Sequence, residues 1–134
     1  MMRALFPLAL LAIAIPAVAA APPAKEKAKE KERDFLAGRV PGKPVRCIDP
    51  RSNQGPTVID DKTILYNVTG RRVYRTGPVG ACPSLRPLTT LIVEIRSGQL
   101  CQNDMFRVLQ PGTTIASAYC RFQPFVPYDR PKAG

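Results

Sequence analysis

The sequence predicts a small, mainly β domain. It would be an antiparallel sandwich or partly open barrel of about six strands, stapled by two disulfides and preceded by a charged segment able to form a helix. Three observations predict it. From Val45 onward, short apolar runs alternate with period two and are broken by Gly and Pro. No stretch in that region keeps the helical period over ten residues, which argues against a βαβ unit. The four cysteines, Cys47, Cys82, Cys101 and Cys120, all lie within it.

The chain has 134 residues, 20 Lys+Arg against 10 Asp+Glu, and a formal net charge of +10. Residues 1–20 have the form of a secretory signal peptide. Arg3 supplies the basic start, Leu5 to Ile15 the apolar run, and Ala17-Val18-Ala19-Ala20 the small residues a signal peptidase accepts. The apolar run is about half the length a membrane span needs, so a leader is expected rather than an anchor. Cleavage is expected after Ala19 or Ala20, leaving a mature form without a transmembrane segment. No cysteine sits at the cleavage site to carry a lipid. The expected address is the periplasm or the exterior.

Residues 21–44 are a charged lead-in. Composition favours a helix from about Ala24 to Ala37, with Pro22-Pro23 ahead of it and Gly38 as its stop. Its charges nearly cancel and it shows no apolar stripe before Phe35-Leu36. A solvated spacer is therefore expected, with a docking helix as the alternative. Val40 to Pro44 forces an extended entry.

The β domain is expected over residues 45–124. Val45–Ile48 reads as a strand, residues 49–56 as a loop, and Thr57–Asp60, Thr63–Thr69 and Arg72–Arg75 as strands. Gly70-Arg71 fits a two-residue hairpin that sets Val68 opposite Val73. That register puts Ile64, Tyr66, Val68 and Val73 on one buried face. Thr76–Pro87 is loop. Thr90–Arg96, Leu100-Cys101, Met105–Leu109 and Ile115–Phe122 are further strands, with Pro111-Gly112 as a type II turn. Residues 125–134 read as a Pro-rich tail.

The cysteines lack the closely paired spacing of zinc knuckles and form no C-x-x-C redox pair. In an exported chain they are expected as two structural disulfides. Spacing leaves all three pairings open. The chain has no His and no Trp. That excludes Ser-His-Asp and Cys-His catalysis and His-based metal sites. The serines have neither a G-x-S-x-G nor an S-x-x-K context. The sequon Asn67-Val68-Thr69 falls in an expected strand and is discounted.

Several runs occur in a set order: Gly42-Lys43-Pro44-Val45-Arg46-Cys47-Ile48, Val58-Ile59-Asp60-Asp61, Thr63-Ile64-Leu65-Tyr66, Arg72-Val73-Tyr74, Leu100-Cys101 with Asp104, and Phe125-Val126-Pro127-Tyr128. Together they resemble a family of small secreted proteobacterial proteins described only as a domain of unknown function. The resemblance spans about Gly38 to Tyr128. It implies an exported envelope protein and no assigned activity. It also implies the pairing Cys47–Cys101 and Cys82–Cys120, because some relatives keep counterparts of the first pair alone.

Two constellations could carry function. Asp60, Asp61 and Asp104 could serve a carboxylate- or metal-dependent hydrolase, which needs carboxylates converging in one cleft. Asp60 and Asp61 are adjacent, however, and Asp61-Lys62 reads as a turn. Residues 39–134 hold 14 basic and 6 acidic side chains, and 11 of the basic ones are Arg. Guanidinium binds phosphate and carboxylate bidentately, so the balance points to an anion-binding surface. Arg71, Arg72 and Arg75, with Tyr74 among them, are the candidate contacts. The expected role is a non-enzymatic domain that needs no cofactor and binds an anionic envelope lipid, a glycan or an envelope protein. A hydrolase and a structural accessory protein are the alternatives. The scarcity of stacking aromatics and the exported address argue against nucleic acid.

Overall fold

The computed structural model describes residues 19–21, 23–68 and 70–133. The expected leader falls almost wholly outside that set, as does Thr69 of the sequon. Helix α1 (Ala24–Leu36) follows Pro23, and Gly38 at φ +69° takes the left-handed geometry that reverses the chain after it. Among the described residues, ten short strands follow: β1 (Val40–Pro41), β2 (Cys47–Ile48), β3 (Asn53–Val58), β4 (Ile64–Val68), β5 (Arg72–Thr76), β6 (Thr90–Val93), β7 (Leu100–Cys101), β8 (Met105–Leu109), β9 (Cys120–Arg121) and β10 (Val126–Asp129).

The strands build three antiparallel sheets. The largest has the order β1-β10-β5-β4-β3, the second pairs β2 with β7, and the third has the order β6-β8-β9. The fold is mainly β, without a closed barrel, and holds the disulfides Cys47–Cys101 and Cys82–Cys120. No helix among the described residues is long and apolar enough to cross a membrane.

Several element boundaries differ from expectation. Residues 49–56 are not all loop: Pro50–Ser52 is a single 3-10 turn and β3 already begins at Asn53. Asp49 enables this, because its Oδ1 accepts the Arg51 N–H at 2.9 Å and starts the turn. β6 stops at Val93, and of the expected closing strand Cys120–Arg121 forms a strand while Ala116 and Phe122 make isolated bridges to Leu109 and Pro78. The expected tail is the largest correction. Phe125 is fully buried and β10 lies between β1 and β5, so the fold runs through Asp129.

The β4–β5 register also differs. Val68 pairs with Arg72, Tyr66 with Tyr74 and Ile64 with Thr76. Arg72, not Val73, therefore lies opposite Val68, and Gly70 before it has φ +75°. The one-residue shift moves Val73 to the opposite face from Tyr66.

Both faces of the large sheet are consequently buried. On one face, Ile64 and Tyr66 join Val58, Phe106, Val108, Phe122, Phe125, Leu85 and Leu100 in the main core. Tyr66 meets Phe122 and Phe125 edge-on, with ring centroids 6.3 and 6.1 Å apart. On the other face, Ile59, Leu65 and Val73 form a smaller cluster covered by Ala28, Phe35 and Leu36 of α1. The helix is docked rather than a solvated spacer. Gly77 follows β5 where the chain passes the turn after β3, and a Cβ there would overlap the Lys62 carbonyl. Only glycine allows that approach.

The Tyr66 hydroxyl is buried without a hydrogen-bond partner, and burial raises its pKa above the ordinary 10.0. The unfolded chain releases this proton near pH 10 while the folded protein keeps it. Stability therefore falls as pH rises above that value, by up to about 1.4 kcal/mol per pH unit for this one group. Tyr66→Phe removes the orphaned hydroxyl and the dependence together. The variant is expected to match or exceed the parent by up to about 1 kcal/mol at neutral pH. Denaturant titrations from about pH 9 to pH 11 should show a shallower decline than the parent's. An unchanged alkaline slope would contradict this reading of the hydroxyl.

Candidate functional site

The residues expected to act together are separated by the fold. Arg72 and Arg75 stand three apart on β5, so they point to opposite faces. Arg75 faces α1, where its Nε donates to Glu32 Oε1 and its Nη2 approaches Thr63 Oγ1 at 3.4 Å. Arg72 faces the other way. Arg71 is exposed in the hairpin connection. The expected three-arginine tip is therefore not one site.

Arg72 is instead the centre of a different arrangement. Its strand neighbour on β10 is Asp129, directly opposite in register. Arg72 Nε donates to Asp129 Oδ1 and Nη2 to Oδ2, both at 2.6 Å, a bidentate pair. Tyr74 lies two residues along on the same face. Arg72 Nη1 donates to its hydroxyl at 3.2 Å, and the guanidinium sits 5.6 Å from the ring centroid. The hydrogen bonds from Arg72 hold the Asp129 carboxyl below the usual carboxylate range. Both side chains are more than two-fifths exposed, at 42% and 44%, so the pair orients the guanidinium more than it stabilises the fold.

A groove of about 990 Å³ opens around this pair. One wall comes from β2 and the turn after it, through Ile48, Asp49 and Ser52. The hairpin supplies Val68 and Arg71, and the segment after β10 supplies Arg130 and Lys132. Of the two carboxylates here, Asp129 is taken by Arg72 and Asp49 caps its own turn. Among the described residues, no carboxylate pairs with Arg71, Arg130 or Lys132. The groove thus combines one fixed guanidinium, an aromatic ring and three cations without a salt-bridge partner among the described residues, against the single unpaired carboxylate of Asp49. Such an arrangement can hold phosphate or carboxylate oxygens.

The carboxylates considered for hydrolysis are placed differently. Asp60 Oδ1 accepts the Lys62 N–H at 2.9 Å and shapes the β3–β4 turn. Asp104 Oδ2 accepts the Cys101 N–H at 2.7 Å and shapes the β7–β8 turn. Asp61 is exposed beside the first of these. Among the described residues, no three His, Cys, Asp or Glu side chains gather as a metal site.

Asp129, Arg130 and Lys132 fall in the stretch 125–134 that the sequence presents as a Pro-rich tail, so the sequence alone does not single them out. The available signal was the alternation in Phe125-Val126-Pro127-Tyr128-Asp129, with Phe125, Pro127 and Asp129 on one parity. No family model matches the chain, and neither a curated protein nor a solved structure matches it.

Proposed function

We propose that the chain is an exported, non-enzymatic binding domain that takes an anionic group of an envelope lipid or glycan in the groove around Arg72. The observation that carries this reading is the placement of Arg71, Arg130 and Lys132, without salt-bridge partners among the described residues, beside a guanidinium already fixed by Asp129 and Tyr74. Three cations converging on one concave surface raise the local concentration of anions. The Tyr74 ring and the half-buried Val68 offer contact to the rest of the ligand. Export is supported by the leader-like first 20 residues and by two disulfides, which persist in oxidising compartments.

The test is binding of the oxidised protein to vesicles of phosphatidylcholine with and without phosphatidylglycerol, at low and high salt. Binding should require the anionic lipid and weaken as salt rises. The triple variant Arg71→Gln, Arg130→Gln and Lys132→Gln leaves the Arg72–Asp129 pair in place. It should bind at least roughly ten-fold more weakly, as expected from about 1 kcal/mol per lost charge near an anionic surface. Equal binding by the variant would overturn the groove as the site.

A further inference from the structure

The two disulfides sit in different surroundings. Cys82 is 3% exposed and belongs to the main core, and Cys120 packs against that core from β9. Cys47 and Cys101 are both half-buried, and neither belongs to that core. The Cys101 sulfur borders the exposed turn at 97–99, with Ser97 Oγ at 3.9 Å and the Gln99 carbonyl at 4.0 Å. Cys47 lines the groove around Arg72, together with Arg71, Arg130 and Lys132. Thiol–disulfide exchange begins when a thiolate reaches a sulfur, so access separates the two bonds. Neighbouring cations also favour a departing cysteine thiolate.

The register shows what the exposed bond fastens. β2 and β7 are two residues each and, among the described residues, pair only with one another. Cys47 stands directly opposite Cys101, and Ile48 opposite Leu100. The Gln102 N–H donates to the Arg46 carbonyl at 2.6 Å, whereas the Cys101 N–H turns away to Asp104 Oδ2. Antiparallel pairing alternates, so the cysteines occupy the non-hydrogen-bonded position between two bonded pairs. The disulfide is the link of that rung. A two-stranded ladder is marginal in water without further support. Outside the ladder, β2 is held by the Val45–Phe125 bridge, at 2.8 and 2.9 Å, and by the buried Ile48 side chain. Loss of the bond therefore loosens the ladder and leaves the domain folded.

We propose that Cys47–Cys101 is a redox-operated fastening of β2, opened by an external dithiol while Cys82–Cys120 stays closed. A thiolate of the dithiol attacks one of the two sulfurs. The S–S bond breaks, and the other cysteine leaves as a thiolate that takes a proton from water. The second thiol of the reagent, once deprotonated, displaces the protein sulfur from the mixed disulfide. Two electrons and two protons pass to the cysteine pair, and the dithiol departs as its own disulfide. The reduced state keeps the main core and frees the wall that β2 and its turn supply to the groove, through Cys47, Asp49 and Ser52. This inference concerns how that wall is fastened and does not rest on what the groove binds.

The test treats the oxidised protein with graded dithiothreitol in the absence of denaturant. Free thiols are alkylated at intervals and located by peptide mass spectrometry. Cys47 and Cys101 should become alkylated at least about ten-fold faster than Cys82 and Cys120. Amide hydrogen exchange followed by NMR then reads the singly reduced protein. Ile48, Leu100 and Gln102 should exchange at least about ten-fold faster than in the parent, while Tyr66 and Val73 in the large sheet keep their protection. The double variant Cys47→Ala with Cys101→Ala should show the same exchange pattern without any reductant. Reduction of both bonds at equal rates, or of Cys82–Cys120 first, would overturn the proposal. It is also overturned if Ile48, Leu100 and Gln102 stay as protected as in the parent, or if protection is lost equally across the large sheet.

Discussion

Reduction of both disulfides is expected to unfold the domain in the absence of denaturant. Cys47–Cys101 spans a sequence separation of 54 and Cys82–Cys120 one of 38. Loop-closure entropy assigns about 4 kcal/mol to each. Together they rival the roughly 5–15 kcal/mol by which natural domains are stable. The two bonds are not equivalent in packing. Cys82 is 3% exposed and belongs to the main core, whereas Cys47 and Cys101 join two short strands directly at a Cα–Cα distance of 4.0 Å. Replacing Cys82 and Cys120 by Ala should therefore cost more than replacing Cys47 and Cys101, although its closed loop is shorter. Circular dichroism melts of the two double variants and of the fully reduced parent check both statements. A reduced protein that keeps the parent's cooperative melt would show that the apolar core suffices alone.

Phe122→Ala is expected to cost about 3–5 kcal/mol. Phe122 is fully buried, with ring centroids 4.4 Å from Phe106, 5.8 Å from Phe125 and 6.3 Å from Tyr66. It therefore ties the β8–β9 side of the core to the large sheet. Its backbone is committed as well: its N–H donates to the Asp104 carbonyl, and its own carbonyl accepts from Asn103. Truncation leaves a cavity that neither sheet can close without moving. The melting temperature should drop by roughly 12 °C or more. Leu88→Ala, at an 86% exposed position, should stay within about 0.5 kcal/mol of the parent. A loss below about 1 kcal/mol for Phe122→Ala would contradict the placement of this ring at the core's centre.

The fold class was legible because period-two alternation and turn residues are local signals. The helix over Ala24–Leu36 was legible too, but its docking was not. The face it presents to the sheet runs Ala28, Glu32, Phe35, Leu36, so a carboxylate occupies the middle of the stripe. Glu32 is tolerated there because Arg75 on β5 meets it, and a partner 43 residues away leaves no local trace. β10 was hidden by Pro127, since proline inside a central strand removes a ladder donor. The Pro127 carbonyl accepts the Gly42 N–H at 2.7 Å, so the missing donor faces the side where β1 has already ended. The loss of a donor costs little there.

The candidate site was half legible. Arginine enrichment pointed to an anion, and Arg71 and Arg72 do line the groove. Adjacency in sequence misled on Arg75, which strand parity sends to the helix side. Asp129 could not be identified as the partner of Arg72 without the β5–β10 register, a long-range property. The pairing of the four cysteines was likewise open to spacing, and only the family resemblance implied the pairs the structure contains.

The most direct measurement is an amide chemical-shift titration of the oxidised protein with inorganic phosphate, repeated at high salt. The account predicts saturable shifts concentrated at Arg71, Arg72, Arg130 and Lys132, weakening as salt rises. Shifts that never saturate and spread equally over Arg75, Arg86 and Arg96 would contradict it, leaving a cationic surface with no anion site.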